Sequence, residues 1–271
     1  MPPVKLDRMD VDDVATSVDR IAAEIHRQLG DTEPPVPVYE IARALDILEI
    51  REAPARNYEA MLLTNAEREF GQICVNTRNS SAQRRRYSVG HELGHFLCTW
   101  HRQVAGDGFK CSRQDMATPT GDEVHIRQER EANWFAIELL APKRMLTRYL
   151  NRLPDLEQVL AIHSALQISK TAAARRYANL HREPLAVVFA TNGLFQYADR
   201  GPGFPFINLE RGEPLPWLPS AGRDGISEMV DADPKDWRGL EWTNELSVQM
   251  FQQEDGHSIV LLHRPLTDTG D

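Results

Sequence analysis

Two histidines four residues apart, in the pentapeptide HELGH at residues 91–95, constrain this chain more than any other feature. On a helix, positions i and i+4 lie on one face, so His91 and His95 aim two imidazoles at one point, with Glu92 rotated off that line. Such a pair suits zinc, which takes ring nitrogens at roughly 2.0–2.1 Å and needs a third protein ligand, plus an open position if the site is to do chemistry. Glu92 would flank a water in that position and take its proton. Five-residue matches also arise by chance, and the competing reading is a polar stripe on a core helix. The surroundings favour a site: a strand-like run precedes the motif, and the helix turns apolar after it at Phe96 and Leu97.

Two residue types compete as third ligand. His101 stands ten residues after His91, the spacing of HExxHxxGxxH, but that pattern needs a glycine at position 98 to turn the chain, and this sequence has Cys98. The other source is the later stretch QEREANWFAIELLAP, with Glu129 and Glu131. Glu129 is favoured because Asn133 follows it by four residues on the same face, where its amide oxygen can accept the free N–H of a metal-bound histidine. Four residues on from Glu131 is Phe135, which cannot.

Along the chain, Val14, Val18, Ile21, Ile25 and Leu29 predict a helix over 14–29, stopped by Gly30, and a second helix follows near 39–45. Strands are expected at 60–64 and 70–77, joined by NAERE, then the HELGH helix over 82–100. Residues 103–124 read as a long irregular loop, of the length that is often functional. A helix returns at 127–140, with a break at Pro142. A helical pair at 155–166 and 170–180 follows, with Ser169 as N-cap of its second member. Beyond His181 the pattern is strand-like: hairpins are expected around Asn192-Gly193 and Asp255-Gly256, with an irregular Pro/Gly-rich stretch at 201–225 between them. The fold class is α+β. The expected parts are a mostly helical domain with a small β-sheet at 1–150, a helix-turn-helix-like segment at 151–181, and a C-terminal strand-rich α/β domain at 182–271.

Net charge is −9, so nothing steers the whole molecule toward nucleic acid, and direct DNA binding is not expected. Arg84-Arg85-Arg86 and Arg175-Arg176 are read as solvated helix ends. Three cysteines without CxxC spacing fit free thiols in a reducing compartment. The N-terminus lacks the apolar core of an export signal and no run is long enough to cross a bilayer, so a cytoplasmic location without membrane contact is expected.

SVGHELGHFL, preceded by GQICVN and followed by EREANWFAIELLAP, resembles the ImmA/IrrE family of bacterial zinc metallopeptidases, with element order matching over roughly 35–180. The resemblance implies a minimal HExxH peptidase fold with zinc on His91, His95 and Glu129, and Glu92 as general base. It also implies a substrate: an XRE-type helix-turn-helix repressor, whose cleavage derepresses stress-response or mobile-element genes. In some members the C-terminal region is a GAF-like sensor, the expectation for 182–271. His/His/Glu sites also accept manganese or iron. Neither motif supplies an oxyanion donor; Tyr177 is the first candidate, followed by Arg176, His163 and Tyr87. The competing function is a non-enzymatic zinc-containing regulator that binds DNA or a partner protein, with a fourth protein ligand, His101 or Cys98, closing the metal site.

Overall fold

The computed structural model describes residues 4–103 and 108–266. Its first helices are shaped by caps. Asp7 caps α1 (Arg8–Asp13) and Ser17 caps α2 (Val18–Leu29). The single helix expected from residue 14 is therefore two, because Val14 closes the first and the Ser17 hydroxyl accepts from Arg20 N–H to start the second. The apolar stripe of α2, Val18, Ile21, Ala22 and Ile25, is buried. Helix α3 spans Val38–Ala44.

A four-stranded sheet follows, from β1 (Ile47–Ala53), β2 (Ala60–Thr64), β3 (Gly71–Asn76) and β4 (Gly108–Cys111), in the order β1-β3-β2-β4. Strand β1 runs parallel to β3, while β2 is antiparallel to both β3 and β4. Strands β2 and β3 fall at the expected positions, whereas β1 and β4 are strands where none was expected. Strand β4 lies inside the stretch expected to be wholly irregular; residues 104–107 of that stretch are outside the described residues. Helix α4 (Ala82–Leu97), capped by Ser81, is buried continuously from Ser88 to Leu97. It ends at Cys98 rather than at residue 100. Helix α5 (Glu123–Leu140), capped by Asp122, packs along it. Two glycines of α4 permit that packing. A Cβ on Gly90 would meet Ala136 at 3.5 Å, and one on Gly94 would stand 3.0 Å from Phe135 Cδ1 and 3.3 Å from Ala132 Cα.

The chain divides into two compact units, Met1–Pro142 with Ala165–Ile168, and Lys143–Ser164 with Ser169–Asp271. This differs from the three-part expectation: the break comes at Pro142, and the helical pair groups mainly with the C-terminal sheet. Helices α6 (Lys143–Leu150), α7 (Leu156–Leu166) and α8 (Lys170–Leu180) precede β5 (Leu185–Thr191), β6 (Leu194–Arg200), β7 (Val230–Asp231), β8 (Ser247–Gln252) and β9 (His257–His263). The reason lies in side-chain bonds. The Gln249 amide of β8 accepts from Leu156 N–H at 2.7 Å and donates to Asp155 at 3.1 Å, capping α7 from the sheet. Arg175 of α8 pairs with Asp199 of β6 at 2.7 Å.

The second sheet is antiparallel throughout, in the order β6-β5-β9-β8-β7. Both hairpin turns fall where the sequence put them, with positive φ at Asn192-Gly193 and Asp255-Gly256. The near-continuous apolar run of β5 is buried on both faces. One apolar cluster joins Ala186 and Val188 to Phe204, Ile207, Trp237 and Leu240, so side chains from the irregular 201–240 stretch cover the sheet. Ser169 caps α8 by accepting from Ala172 N–H, and Gln167 before it adopts φ 51°, the left-handed conformation that a glycine would take in such a turn. Among the described residues no helix is long and apolar enough to cross a membrane.

Candidate metal centre

His91 and His95 are one turn apart on α4, and both are fully buried. Their Nε2 atoms stand 3.1 Å apart. Glu129, on α5, reaches both: Oε2 is 3.1 Å from His91 Nε2 and Oε1 is 3.3 Å from His95 Nε2. The small-residue seam of Gly90 and Gly94 against Ala132 and Ala136 lets α5 come close enough for so short a side chain to do this.

Each imidazole is held from behind. His91 Nδ1 is 3.0 Å from Asn133 Oδ1, which also accepts the Tyr87 hydroxyl at 2.7 Å. The Asn133 amide nitrogen donates to Asp115 O at 3.3 Å, which fixes the amide so that its oxygen faces His91. His91 therefore donates from Nδ1 and presents a bare lone pair at Nε2. His95 Nδ1 faces His101 Nδ1 at 3.0 Å, and His101 Nε2 faces Glu131 Oε2 at 2.9 Å. His101 Nε2–H donates to the carboxylate, His101 Nδ1 accepts from His95, and His95 Nε2 is left bare as well. Trp100 Nε1 and Arg127 Nε also donate to Glu131, at 2.6 and 2.7 Å. Arg68 donates to the carbonyls of Cys98 and His101, pinning the turn after α4.

His101 and Glu131, the competitors of Glu129 for the third position, stand behind His95 instead. The sequence signal for Asn133 was its i+4 spacing; His101 is reached across a turn, which no helical spacing encodes. Cys111 was also missed. At the end of β4, its Sγ lies 3.5 Å from His95 Nε2 and 3.7 Å from Glu129 Oε1. The alternation of Phe109 and Cys111 on one strand face was its only sequence signal.

Electrostatics fit a cation at this point. Burial lowers the pKa of His95 to about 3, which keeps its imidazole neutral. Burial pushes Glu129 up, yet a proton shared with the His91 and His95 nitrogens outweighs it and holds the carboxyl well below the usual range; a cation at those nitrogens takes that proton's place. The Cys111 thiol is raised by burial and by the neighbouring Glu92 and Glu129. Burial likewise pushes Glu92 up to about 8. Neither Glu92 oxygen makes a hydrogen bond of good geometry; the polar groups beside it are the Cys111 thiol and the Leu62 backbone. A fully buried carboxyl so weakly partnered is costly unless something charged or reactive is to stand next to it. The bare Nε2 atoms, the low-pKa carboxylate and this side chain fit a metal held by His91, His95 and Glu129.

The remaining candidates are placed as follows. Tyr177 is fully buried in the second unit, its hydroxyl accepting from Asp155 N–H at 3.3 Å. Arg176 is buried on α8, and His163 is on α7. His125, which no motif singles out, precedes Glu129 by one turn, with Nδ1 3.9 Å from Glu129 Oε1 and Nε2 3.3 Å from Asp115 Oδ1. The Arg84–Arg86 run is not merely solvated: Arg84 pairs with Glu59, Arg85 with Glu52 at 3.0 Å, and Arg86 donates to Val36 O at 2.7 Å.

A helix carrying two inward histidines, met by a glutamate from the next helix over a small sheet, defines a metallopeptidase-type domain. Residues 44–177 match the family model described as Peptidase_M78, the IrrE N-terminal-like domain, and through this segment the chain belongs to the ImmA/IrrE family. A solved structure described as a Mycobacterium tuberculosis transcriptional regulator is similar in fold, with a TM-score of 0.53 at 14% identity, over 95% of this chain and 79% of that one. No curated protein sequence matches the chain.

Proposed function

We propose that the chain is a zinc-dependent endopeptidase, that its substrate is an XRE-type helix-turn-helix repressor, and that cleavage derepresses stress-response or mobile-element genes. The observation that carries the peptidase reading is Glu92. A structural metal has no use for a buried, poorly hydrogen-bonded carboxyl beside its ligands, whereas a hydrolase needs a base there. When bound, zinc would polarise the scissile carbonyl and lower the pKa of water to about 7. Glu92 would hold the proton taken from that water and pass it to the leaving amine. The family supports action on a protein substrate; the repressor as that substrate and a cytoplasmic location are part of the proposal.

For the developing oxyanion, His125 and Tyr177 are the candidates. His125 keeps some exposure beside the cluster and is steadied by Asp115, while the Tyr177 phenol is engaged by Asp155. His125→Gln and Tyr177→Phe separate them: the residue that serves the reaction lowers kcat by about 100-fold, and the other leaves it unchanged.

The test of the main reading uses zinc-loaded protein and the helix-turn-helix regulator encoded beside it. Wild type is expected to cleave, and Glu92→Gln to lose about 100-fold or more in rate with its zinc content intact. Equal cleavage by both proteins sinks the peptidase reading. The position of Cys111 favours one other reading, a closed-site zinc regulator without enzymatic activity that works through DNA or a partner protein. It predicts salt-dependent binding of the operator and no cleavage.

A further inference from the structure

The cluster offers one donor more than the peptidase reading uses. Cys111 is 1% exposed, and the donor atoms of His91, His95, Cys111 and Glu129 all lie within 4.8 Å of one another. Around one tetrahedral zinc at ordinary bond lengths, nitrogen and oxygen donors stand about 3.3 Å apart, and sulfur about 3.5 Å from either. Here the nitrogen and oxygen pairs measure 3.1, 3.1 and 3.3 Å, and the sulfur pairs to His95 and Glu129 measure 3.5 and 3.7 Å. Glu129 gives Oε2 to His91 and Oε1 to His95 and Cys111, and the donor set closes within 4.8 Å, so the four side chains converge on one point that a single cation can occupy.

The sheet sets this placement. Strand β4 is registered on β2 by Leu62 opposite Phe109 and Ala60 opposite Cys111. Strand alternation puts Phe109 and Cys111 on one face, and the Phe109 ring stacks on His95 with centroids 4.4 Å apart. A second observation points to a cation at the same spot: Glu129 Oε2 and both Glu92 oxygens are buried without a hydrogen bond of good geometry.

We propose that Cys111 is the fourth protein ligand of the metal in the resting protein. Its thiolate takes the position in which a peptidase needs water. Binding replaces the S–H bond by a metal–sulfur bond and releases the thiol proton to the buffer. The resting centre is then closed, and Glu92 has no water to activate until the sulfur leaves. This latency rests on the peptidase reading above; the coordination does not.

The test uses the full chain loaded with cobalt(II) for absorption spectroscopy, and with zinc for X-ray absorption. A sulfur ligand gives intense thiolate-to-cobalt charge transfer in the near ultraviolet, and a sulfur scatterer at about 2.3 Å from zinc. Both signals are expected in wild type and in Cys74→Ser, and neither in Cys111→Ser. Absence of both from metal-loaded wild type, or their persistence in Cys111→Ser, overturns the assignment. If Cys111→Ser does not fold, the zinc spectra of Cys74→Ser and Cys98→Ser decide it: sulfur kept in both leaves Cys111 as its source, and its loss in Cys98→Ser overturns the assignment. Repressor cleavage is measured on the same samples. A sulfur signal in wild type, with cleavage roughly tenfold or more faster in Cys111→Ser, supports the closed resting site, since catalytic zinc keeps an open position. A sulfur signal with equal rates overturns latency. Cleavage by neither protein refutes the peptidase reading alone, and the spectra still decide the ligand.

Discussion

Glu131 shows what a side chain beside a metal can do without touching it. It accepts from Trp100, His101 and Arg127, and through His101 it decides which nitrogen of His95 carries the proton. Asn133 does the same for His91 with an amide in place of a second imidazole. Removing either support leaves the ligands present but free to turn. His101→Ala and Asn133→Ala are each expected to weaken zinc binding by about 10–100-fold, measured by competition with a chromogenic chelator. Unchanged affinity in both would show that the ligand orientation is set by packing alone. At this scale the sequence was legible where one helix carries both partners, as with Glu129 and Asn133. It was silent where contact depends on tertiary approach: nothing in the spacing of His101 or Cys111 announces that a turn and a four-residue strand bring them to His95.

Among the elements, the contact between α4 and α5 places the third ligand. Glycine in a helix interior costs about 0.5–1 kcal/mol relative to alanine, so Gly90 and Gly94 need a reason, and the closeness of Ala132, Phe135 and Ala136 supplies it. Gly94→Val is expected to cost about 1–3 kcal/mol through overpacking, and to lower zinc stoichiometry because Glu129 is pushed back. Denaturant unfolding and metal analysis check the two effects separately. In the other unit, Ser169→Ala removes the cap of α8 and is expected to cost about 1 kcal/mol in the same unfolding measurement. Capped helices and Asn-Gly or Asp-Gly hairpins were readable because local chemistry fixes them. Strands β1 and β4 were not. Strand β1 has no clean alternation, and β4 is too short for any period to show.

For the whole molecule, the metal site draws its donors from α4, β4 and α5, so the bound ion ties together segments that the unfolded chain holds apart. A ligand that binds only the folded state stabilises it by about 4 kcal/mol at a thousandfold excess over Kd. Chelation is therefore expected to lower the melting temperature, and the midpoint should climb with the logarithm of free zinc. A midpoint insensitive to zinc would mean that the donors do not act as one site. The three-part division read from the sequence followed a change of pattern at His181, from helices to strands. Pattern, however, marks a change of secondary structure, and a folding unit ends where side chains stop bonding across the break. Gln249, far along the chain, supplies a second cap to α7 beside Asp155, whose own carboxylate accepts from Glu157 N–H. A stop codon placed at residue 182 would strip α7 of that cap and leave α8 without the strands it lies on. The product would lose helices as well as a sheet, and any change in its behaviour would say nothing about sensing. Point substitutions on the sheet surface, in the full chain, are the way to ask whether the C-terminal region detects anything.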